Sequence, residues 1–348
     1  MSTRLFIKDR IQVEEFLKNF FLSKDETPLA RDLAKRFEIF SCNGKMMRAL
    51  LVLTAFRLSE KKQLSQDAIR CAASLELLHS SILIHDDVID RSMQRRGTTS
   101  WHLDYATIAK ANGSRDYNHI GQSMAICAGD IGFFFAFEIL AKLQAGKKAK
   151  DNIFSLVCQT LAGAGLGELE EMDLSGNHKG DSNDIFKVYA KKTALYSCSL
   201  PLAVGAILGG LDTLTVSKLI SIGCSLGQAF QLIDDDLDLF GDPTKTGKPI
   251  GTDVREGRHT LLYSLLSKHL PPEKWQSLKL LFGEKELPES KLKLVQEAAE
   301  KYGIRKEIHH QVAKMKKEIK IMVENLSLNP HLLNFFNKVL DTIINQEK

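Results

Sequence analysis

The chain is most informative first for what it has little of. Only eight prolines interrupt 348 residues, and alternating β-branched stretches of strand character are hard to find, so helix is the dominant expectation. Six cysteines (Cys42, Cys71, Cys127, Cys158, Cys198, Cys224) are scattered, with no C-x-x-C pair and no histidine completing a zinc pattern. They read as reduced core thiols of a cytoplasmic protein. A net charge of +4 with interspersed signs provides no clustered cationic face, which excludes a nucleic-acid partner. No apolar run of signal-peptide character follows the opening MSTRLFIKDR. The most apolar later stretch, Ser199 to Leu214, contains Pro201, Gly205, Gly209 and Gly210 and is short for a membrane span. An integral membrane protein is therefore not expected.

What is present is helical periodicity. Apolar residues recur at three- and four-residue spacing over Met47–Phe56, Ala68–Ile89, Ser123–Leu143, Ile153–Leu174 and Leu214–Phe240. Breaks fall at 60–66, 111–117, 145–151, 175–183 and 241–259, and none resembles a long linker. The expectation is one all-α domain over 1–348, a bundle of roughly a dozen helices. The lysine-rich amphipathic segment 304–326 is expected to close the bundle with its apolar side.

Two acidic motifs share one spacing. Asp86-Asp87-Val88-Ile89-Asp90 ends one apolar helix and Asp234-Asp235-Asp236-Leu237-Asp238 ends another. Residues four apart lie on one helix face, so Asp86 pairs with Asp90 and Asp234 with Asp238. Like charges so placed repel, and oxygen-seeking divalent ions offset them; Mg²⁺ takes one or two carboxylates plus phosphate oxygens. One D-D-x-x-D is a common surface pattern, but two copies, each followed by basic residues, are far more specific. Arg95 and Arg96 follow the first motif, and on a helix they would diverge by about 100°. Lys248 follows the second on a Gly-Lys-Pro-Ile-Gly loop. Lys45 and Arg48, three apart at a helix start, are expected on one side, where backbone N–H groups add to anion binding. His79 lies two turns before Asp86 on the same stripe. A lone histidine there is commonly a core residue, but sharing a face with the carboxylates favours ligand contact. Together these residues describe a cleft for two diphosphates and bridging metals.

From Gly44 to Thr260 the sequence resembles the trans-isoprenyl diphosphate synthases, or polyprenyl synthetases. The resemblance rests on GKMMR (44–48), ELLHSSILIHDDVIDRSMQRRG (76–97), HIGQSMAICAGD (119–130), KTALY (192–196), FQLIDDDLDLFGD (230–242) and GKPIGTDVREGRHT (247–260). It implies a helical isoprenoid-synthase bundle around a central cavity and a homodimer. It implies that Lys45, Arg48, His79 and Arg96 hold isopentenyl diphosphate. Arg95, Lys192, Thr193, Gln231 and Lys248 would hold the allylic diphosphate. Asp86, Asp87, Asp90, Asp234, Asp235 and Asp238 would bind three Mg²⁺ ions around it. The residues it implies in catalysis are Asp86, Asp90, Arg95, Lys192, Asp234 and Lys248. The implied reaction ionises an allylic C–O bond, and isopentenyl diphosphate attacks the resulting cation.

Departures from the family pattern are Met46 and Ala49, where G-K-R-x-R-P carries arginine and proline, Arg258 for lysine, Glu171 for Gln or Asp, and Asp236 for an aliphatic residue. Glu171 is left out of the expected site. One turn before the first motif, about 6 Å by helix rise, Ser81 and Ile82 are the expected floor for the growing chain. Neither is aromatic, which points past farnesyl length to geranylgeranyl diphosphate, with farnesyl or longer products as the alternative. A class I terpene cyclase lacks this second motif, and an HD-type phosphohydrolase leaves it unexplained. A non-catalytic subunit would have lost one motif.

Overall fold

The computed structural model describes residues 2–24, 26–60, 63–177, 180–242, 250–326, 328 and 330–344. They fold as two compact units: Met1–Phe154 with Pro201–Thr213, and Ser155–Leu200 with Leu214–Lys348. Both are helical, as expected; among the described residues the strands are confined to one hairpin, Gln94–Arg95 (β1) against Thr98–Thr99 (β2).

The first unit begins with α1 (Ser2–Leu22), α2 (Pro28–Cys42) and α3 (Met47–Arg57), followed by α4 (Gln66–Ile89), α5 (Trp101–Ala111) and α6 (Tyr117–Ala141). Helix starts follow from capping chemistry. The side chains of Thr27 and Ser65 accept the N–H groups of Ala30 and Ala68, each at 3.1 Å. α4 is the buried axis of this unit, apolar on nearly every side and packed along α6. Its buried serines are satisfied: the Ser74 hydroxyl donates to the Ala136 carbonyl, and those of Ser80 and Ser81 to the Glu76 and Leu77 carbonyls, each at 3.0 Å. Beneath lie the rings of Phe21, Phe37, Phe135 and Trp101, edge-on or stacked.

The second unit takes in the later part of α7 (Lys147–Asn177) and then α8 (Ser182–Val188), which passes into a wide π-helix, Tyr189–Ser199. The long α10 (Thr213–Phe240) packs on that π-helix through glycine. A Cβ on Gly223 would sit 2.6 Å from the Ser199 Cα, and one on Gly227 would sit 2.4 Å from the Ala194 Cα. After α11 (Thr252–Glu256) come α12 (Leu261–His269), α13 (Pro272–Lys279), α14 (Glu289–Lys301), α15 (Ile304–Glu324) and α16 (Pro330–Ile344). α9 (Leu200–Gly209) returns to the first unit. The core of the second unit joins Leu232 and Leu239 of α10, Leu265 and Leu266 of α12, Val295 of α14, and Ile304, Ile308, Val312 and Met315 of α15. The amphipathic 304–326 segment thus closes this unit, as its pattern predicts.

The membrane expectation needs a different basis. Among the described residues, α6, the helical stretch Ser182–Gly209 and α10 are each long and apolar enough to span a bilayer. Length alone therefore does not exclude spans. Charge within the helices does the arguing instead: α6 carries an exposed Asp130 near its middle, and α10 carries four aspartates in its last two turns. Both placements are costly in lipid.

Candidate active site

α4 ends on the first aspartate motif. Ile89 is its last residue, and the N–H of Asp90, the C-cap, donates to the Asp86 carbonyl at 2.7 Å. Asp86 and Asp90 therefore stand one turn apart at the helix end. Asp87 faces elsewhere. Its side chain is 2% exposed, and its Oδ1 accepts from Arg95 Nε at 2.7 Å and Nη2 at 2.6 Å. Burial raises the pKa of Asp87, and the Arg95 charge pulls it down. The structure thus joins an expected metal ligand to an expected diphosphate ligand.

Arg95 and Arg96 do not continue a helix; they flank the turn of the β1–β2 hairpin. Arg95 pairs with Thr98 across it, and the two loop residues, Arg96 and Gly97, have φ of +54° and +75°. Positive φ at both central positions is the signature of a type I′ turn, whose twist suits a two-residue hairpin. The arginines therefore diverge because the chain turns. Arg96 lays its guanidinium over the Phe40 ring, 4.6 Å from the centroid, and donates to the Phe40 carbonyl.

Lys45 and Arg48 do not share a helix face either. Met46 is left-handed (φ +51°) and caps α3 ahead of Met47, so Lys45 precedes the helix and is exposed, whereas Arg48 is buried. Met46 offers no side-chain cap. Glu76 of α4 supplies one instead, accepting the Ala49 N–H at 2.9 Å, a donor that the family's usual proline would lack. His79 is half-buried on the Asp86 stripe of α4. Burial and the charges of Arg48, Arg96 and Arg95 hold its imidazole well below the usual histidine pKa, hence neutral. Burial, with Arg48 and Arg95 alongside, brings Arg96 down to about 10 although Glu76 pulls the other way. Cations crowd one another here in the first unit. Ser81 is sealed against α6, where its hydroxyl would lie 2.2 Å from a Cβ on Gly132; Ile82 is half-buried.

In the second unit α10 runs on to Phe240, so the second motif stays inside the helix. The Asp238 carboxylate accepts the N–H groups of Thr252 at 3.2 Å and Asp253 at 3.0 Å. It thereby caps α11, whose own N-cap, Gly251, has no side chain to do so. Asp235 accepts a hydrogen bond from the Tyr189 hydroxyl and another from Gln231 Nε2 at 2.8 Å. That same Tyr189 oxygen accepts the Leu261 N–H at 3.1 Å. Burial pushes Asp235 up to about 7; the hydrogen bonds from Tyr189 and Gln231 oppose this, and Asp234 and Glu171 add to it. Asp253 is also raised well above the carboxylate range, by burial and then by Asp238. Asp234 is half-buried beside them.

Lys192 lies on the π-helix and is gripped by Glu171 at 2.5 Å and Glu168 at 2.8 Å. Burial works against its charge, but Glu171 and Glu168 outweigh it and the net shift is upward. Arg258 lies 3.9 Å from Glu171 and 3.6 Å from Asp253. Thr193 is the half-buried neighbour of Lys192, while Lys248 lies outside the described residues. Glu168, Tyr189 and Asp253 were not singled out in the sequence, and Glu171 was set aside. The three-residue spacing of Glu168 and Glu171 on a helix is the signal that could have found that pair.

Among the described residues no three carboxylate, histidine or cysteine side chains converge as a ready metal cage. Mg²⁺ needs none, since it completes its shell with phosphate oxygens and water. An all-oxygen donor set on helix ends, with acids already crowded, fits that ion.

The helical fold and paired acidic motifs define a class of enzyme that works on prenyl diphosphates, and comparison with known proteins agrees. The polyprenyl synthetase model matches residues 33–299. A short chain isoprenyl diphosphate synthase of Methanocaldococcus jannaschii is 30% identical over 83% of this chain and 81% of its own. A geranylgeranyl diphosphate synthase of Saccharolobus solfataricus is 28% identical over 84% and 81%. A crystal structure of geranylgeranyl pyrophosphate synthase from Corynebacterium glutamicum, complexed with isoprenyl diphosphate and magnesium, shares the fold. Its TM-score is 0.91 over 100% of both chains at 24% identity. The chain belongs to the polyprenyl synthetase family and is a prenyltransferase.

Proposed function

We propose that this enzyme condenses isopentenyl diphosphate with an allylic diphosphate (dimethylallyl, geranyl or farnesyl) to give geranylgeranyl diphosphate, with Mg²⁺ as cofactor. The observation that carries this is electrostatic. In the first unit burial, and then neighbouring cations, depress Arg96 and His79, a setting that a bound anion relieves. In the second, buried acids stand raised at Asp235 and Asp253, a setting that a cation relieves. Perturbed groups of this kind mark functional sites, and a metal diphosphate supplies both signs.

On this reading Lys45, Arg48, His79 and Arg96 hold isopentenyl diphosphate, while Arg95, Lys192, Thr193, Gln231 and Lys248 hold the allylic diphosphate. Asp86, Asp90, Asp234 and Asp238 would hold three Mg²⁺ ions, with Asp87 and Asp235 behind them. Mg²⁺ held there would supply charge neutralisation to the departing diphosphate. Arg95 and Lys192 donate to that leaving group as the allylic C–O bond breaks and its electron pair goes to oxygen. Arg96 and neutral His79 fix isopentenyl diphosphate so that its double bond attacks the cation. The released diphosphate then takes the proton lost from the new chain. Ile82, rather than the sealed Ser81, is the floor contributed by α4.

Both units serve one catalytic domain in a cytoplasmic enzyme. A homodimer covers the apolar side chains that α6 leaves exposed, among them Ile126, Ile131 and Phe134. Sedimentation velocity will show a dimer; a monomer removes that part of the proposal. The decisive assay incubates the purified chain with labelled isopentenyl diphosphate and each allylic primer, with and without Mg²⁺, and sizes the products. Turnover of the primer without isopentenyl diphosphate would indicate a cyclase, and no turnover a non-catalytic subunit. A ladder stopping at farnesyl diphosphate would overturn the product assignment.

A further inference from the structure

The third acid of the second motif, Asp236, does something the other three do not. Successive helical residues turn by about 100°, which sets Asp236 about 160° from Asp234 and Asp238 around α10. Its side chain is 11% exposed and meets α15. Arg305 approaches with its fork, Nε to Oδ1 at 3.0 Å and Nη2 to Oδ2 at 3.3 Å. His309, one turn further along α15, places Nε2 at 3.2 Å from Oδ2. Arg305 is itself fixed: its guanidinium lies 4.1 Å from the centroid of the Phe240 ring, and Nη1 donates to Glu300 at 2.9 Å. A two-point Arg–carboxylate pair over an aromatic face holds direction as well as distance.

We propose that Asp236 is a positioning residue for the metal-binding acids, locking the end of α10 to α15 through Arg305 and His309. The clamp grips α10 on both sides of Asp238, at Asp236 and at Phe240. Asp238 in turn sets the start of α11 through two hydrogen bonds. Without the clamp, the last turn of α10 keeps its helical bonds but loses the contact that fixes its tilt and rotation. Asp234 and Asp238 then present their oxygens to the metal in a spread of orientations. The inference rests on the reading that these two carboxylates bind Mg²⁺.

The test titrates Mg²⁺ with inorganic pyrophosphate into the parent, Asp236→Asn, Arg305→Lys, Arg305→Leu and Asp236→Leu/Arg305→Leu by calorimetry. Mg²⁺ activation of condensation is measured in parallel. Asp236→Asn keeps the shape and loses the charge, and Arg305→Lys keeps the charge and loses the fork. Each single variant is expected to weaken Mg²⁺–pyrophosphate binding by about tenfold, as loss of an outer support does. The half-saturating Mg²⁺ should rise by the same factor while kcat at saturating Mg²⁺ stays within about twofold. The double variant, with two apolar partners, should bind closer to the parent than Arg305→Leu does, since removing both charges leaves neither stranded. Single variants that bind Mg²⁺–pyrophosphate like the parent, with only their thermal midpoints lowered, would overturn the inference and leave the proposed function standing. A parent that neither binds Mg²⁺–pyrophosphate nor condenses substrates would overturn both.

Discussion

The two aspartate motifs have the same spacing and are built into the fold in opposite ways. At the first, the helix stops: Ile89 ends α4, Asp90 caps it, and the middle acid, Asp87, is buried against Arg95. At the second, the helix continues to Phe240, and the middle acid, Asp235, is buried against the neutral groups of Tyr189 and Gln231. Burial raises both acids; at Asp87 the Arg95 charge opposes it, whereas Asp235, held by neutral partners and crowded by Asp234 and Glu171, is pushed up to about 7. The surroundings follow suit. Arginines accumulate around the first motif, and around the second even Lys192 is enclosed by Glu168 and Glu171. Excess positive charge gathers beside the first motif and excess negative charge beside the second.

The largest test of this contrast is on the outer acids, which both halves should use alike. Asp86→Ala and Asp234→Ala are each expected to lower kcat by about 100- to 1000-fold, the scale of losing one group that stabilises transition-state charge. Steady-state assays at saturating Mg²⁺ check this. If one substitution is tolerated, the two motifs are not equivalent even at their outer acids.

Next come the partners of the middle acids. Arg95→Leu strands a buried carboxylate and should cost about 3–5 kcal/mol in urea unfolding. Tyr189→Phe removes a neutral hydroxyl and should cost about 1–2 kcal/mol. Adding Asp87→Asn to Arg95→Leu should recover part of the loss. Equal costs at the two sites would erase the distinction between an acid held by a charge and one held by neutral groups.

How much of this was legible beforehand varies along the chain. Helix identity was, because periodic apolar spacing and Ser or Thr caps act locally: 66–89 and 213–240 fall close to the expected segments. Both motifs, and the shared stripe of His79 and Asp86, followed from helical geometry. The turn at Arg96-Gly97 did not, since a two-residue hairpin embedded in a helical protein leaves no alternating strands to announce it. Nor did the left-handed Met46 that parts Lys45 from Arg48, because αL at a non-glycine residue is set by surrounding contacts. The π-helix and the grip of Glu171 on Lys192 depend on α7 and α10 packing from elsewhere in the sequence. Asp236, whose role was open in the sequence, acquires partners only through α15, about 70 residues on.

The middle acids also differ in their expected response to pH. The folded-state pKa of Asp235 is raised, to about 7, above its unfolded value near 3.8. The folded chain therefore holds the extra proton between those values, and stability falls as pH rises through that window. Asp235→Asn mimics the protonated acid and should remove this slope. Unfolding of metal-free parent and variant, measured in chelator at pH 4.5 and pH 8, should show the variant gaining on the parent at the higher pH. Asp87 is also raised by burial, but Asp87→Asn takes from Arg95 its carboxylate partner, so that variant should lose stability at both pH values.

The smallest expected effect concerns how the first half holds its arginines. Gly44 lies under Arg96: a Cβ there would come within 2.7 Å of Nη2 and 2.9 Å of Cζ. The clash is with the far end of a flexible side chain, so Gly44→Ala should fold normally and push the guanidinium off the Phe40 ring. Losing a cation–π seat of this kind is worth about 0.5–1 kcal/mol, which corresponds to a KM for isopentenyl diphosphate raised about two- to fivefold. The allylic KM should stay unchanged, because Arg95 is fixed by Asp87 on the other side of the hairpin turn. An increase in both KM values would mean that the two arginines move as one unit, and the separation of the two diphosphates by the Arg96-Gly97 turn would then fail.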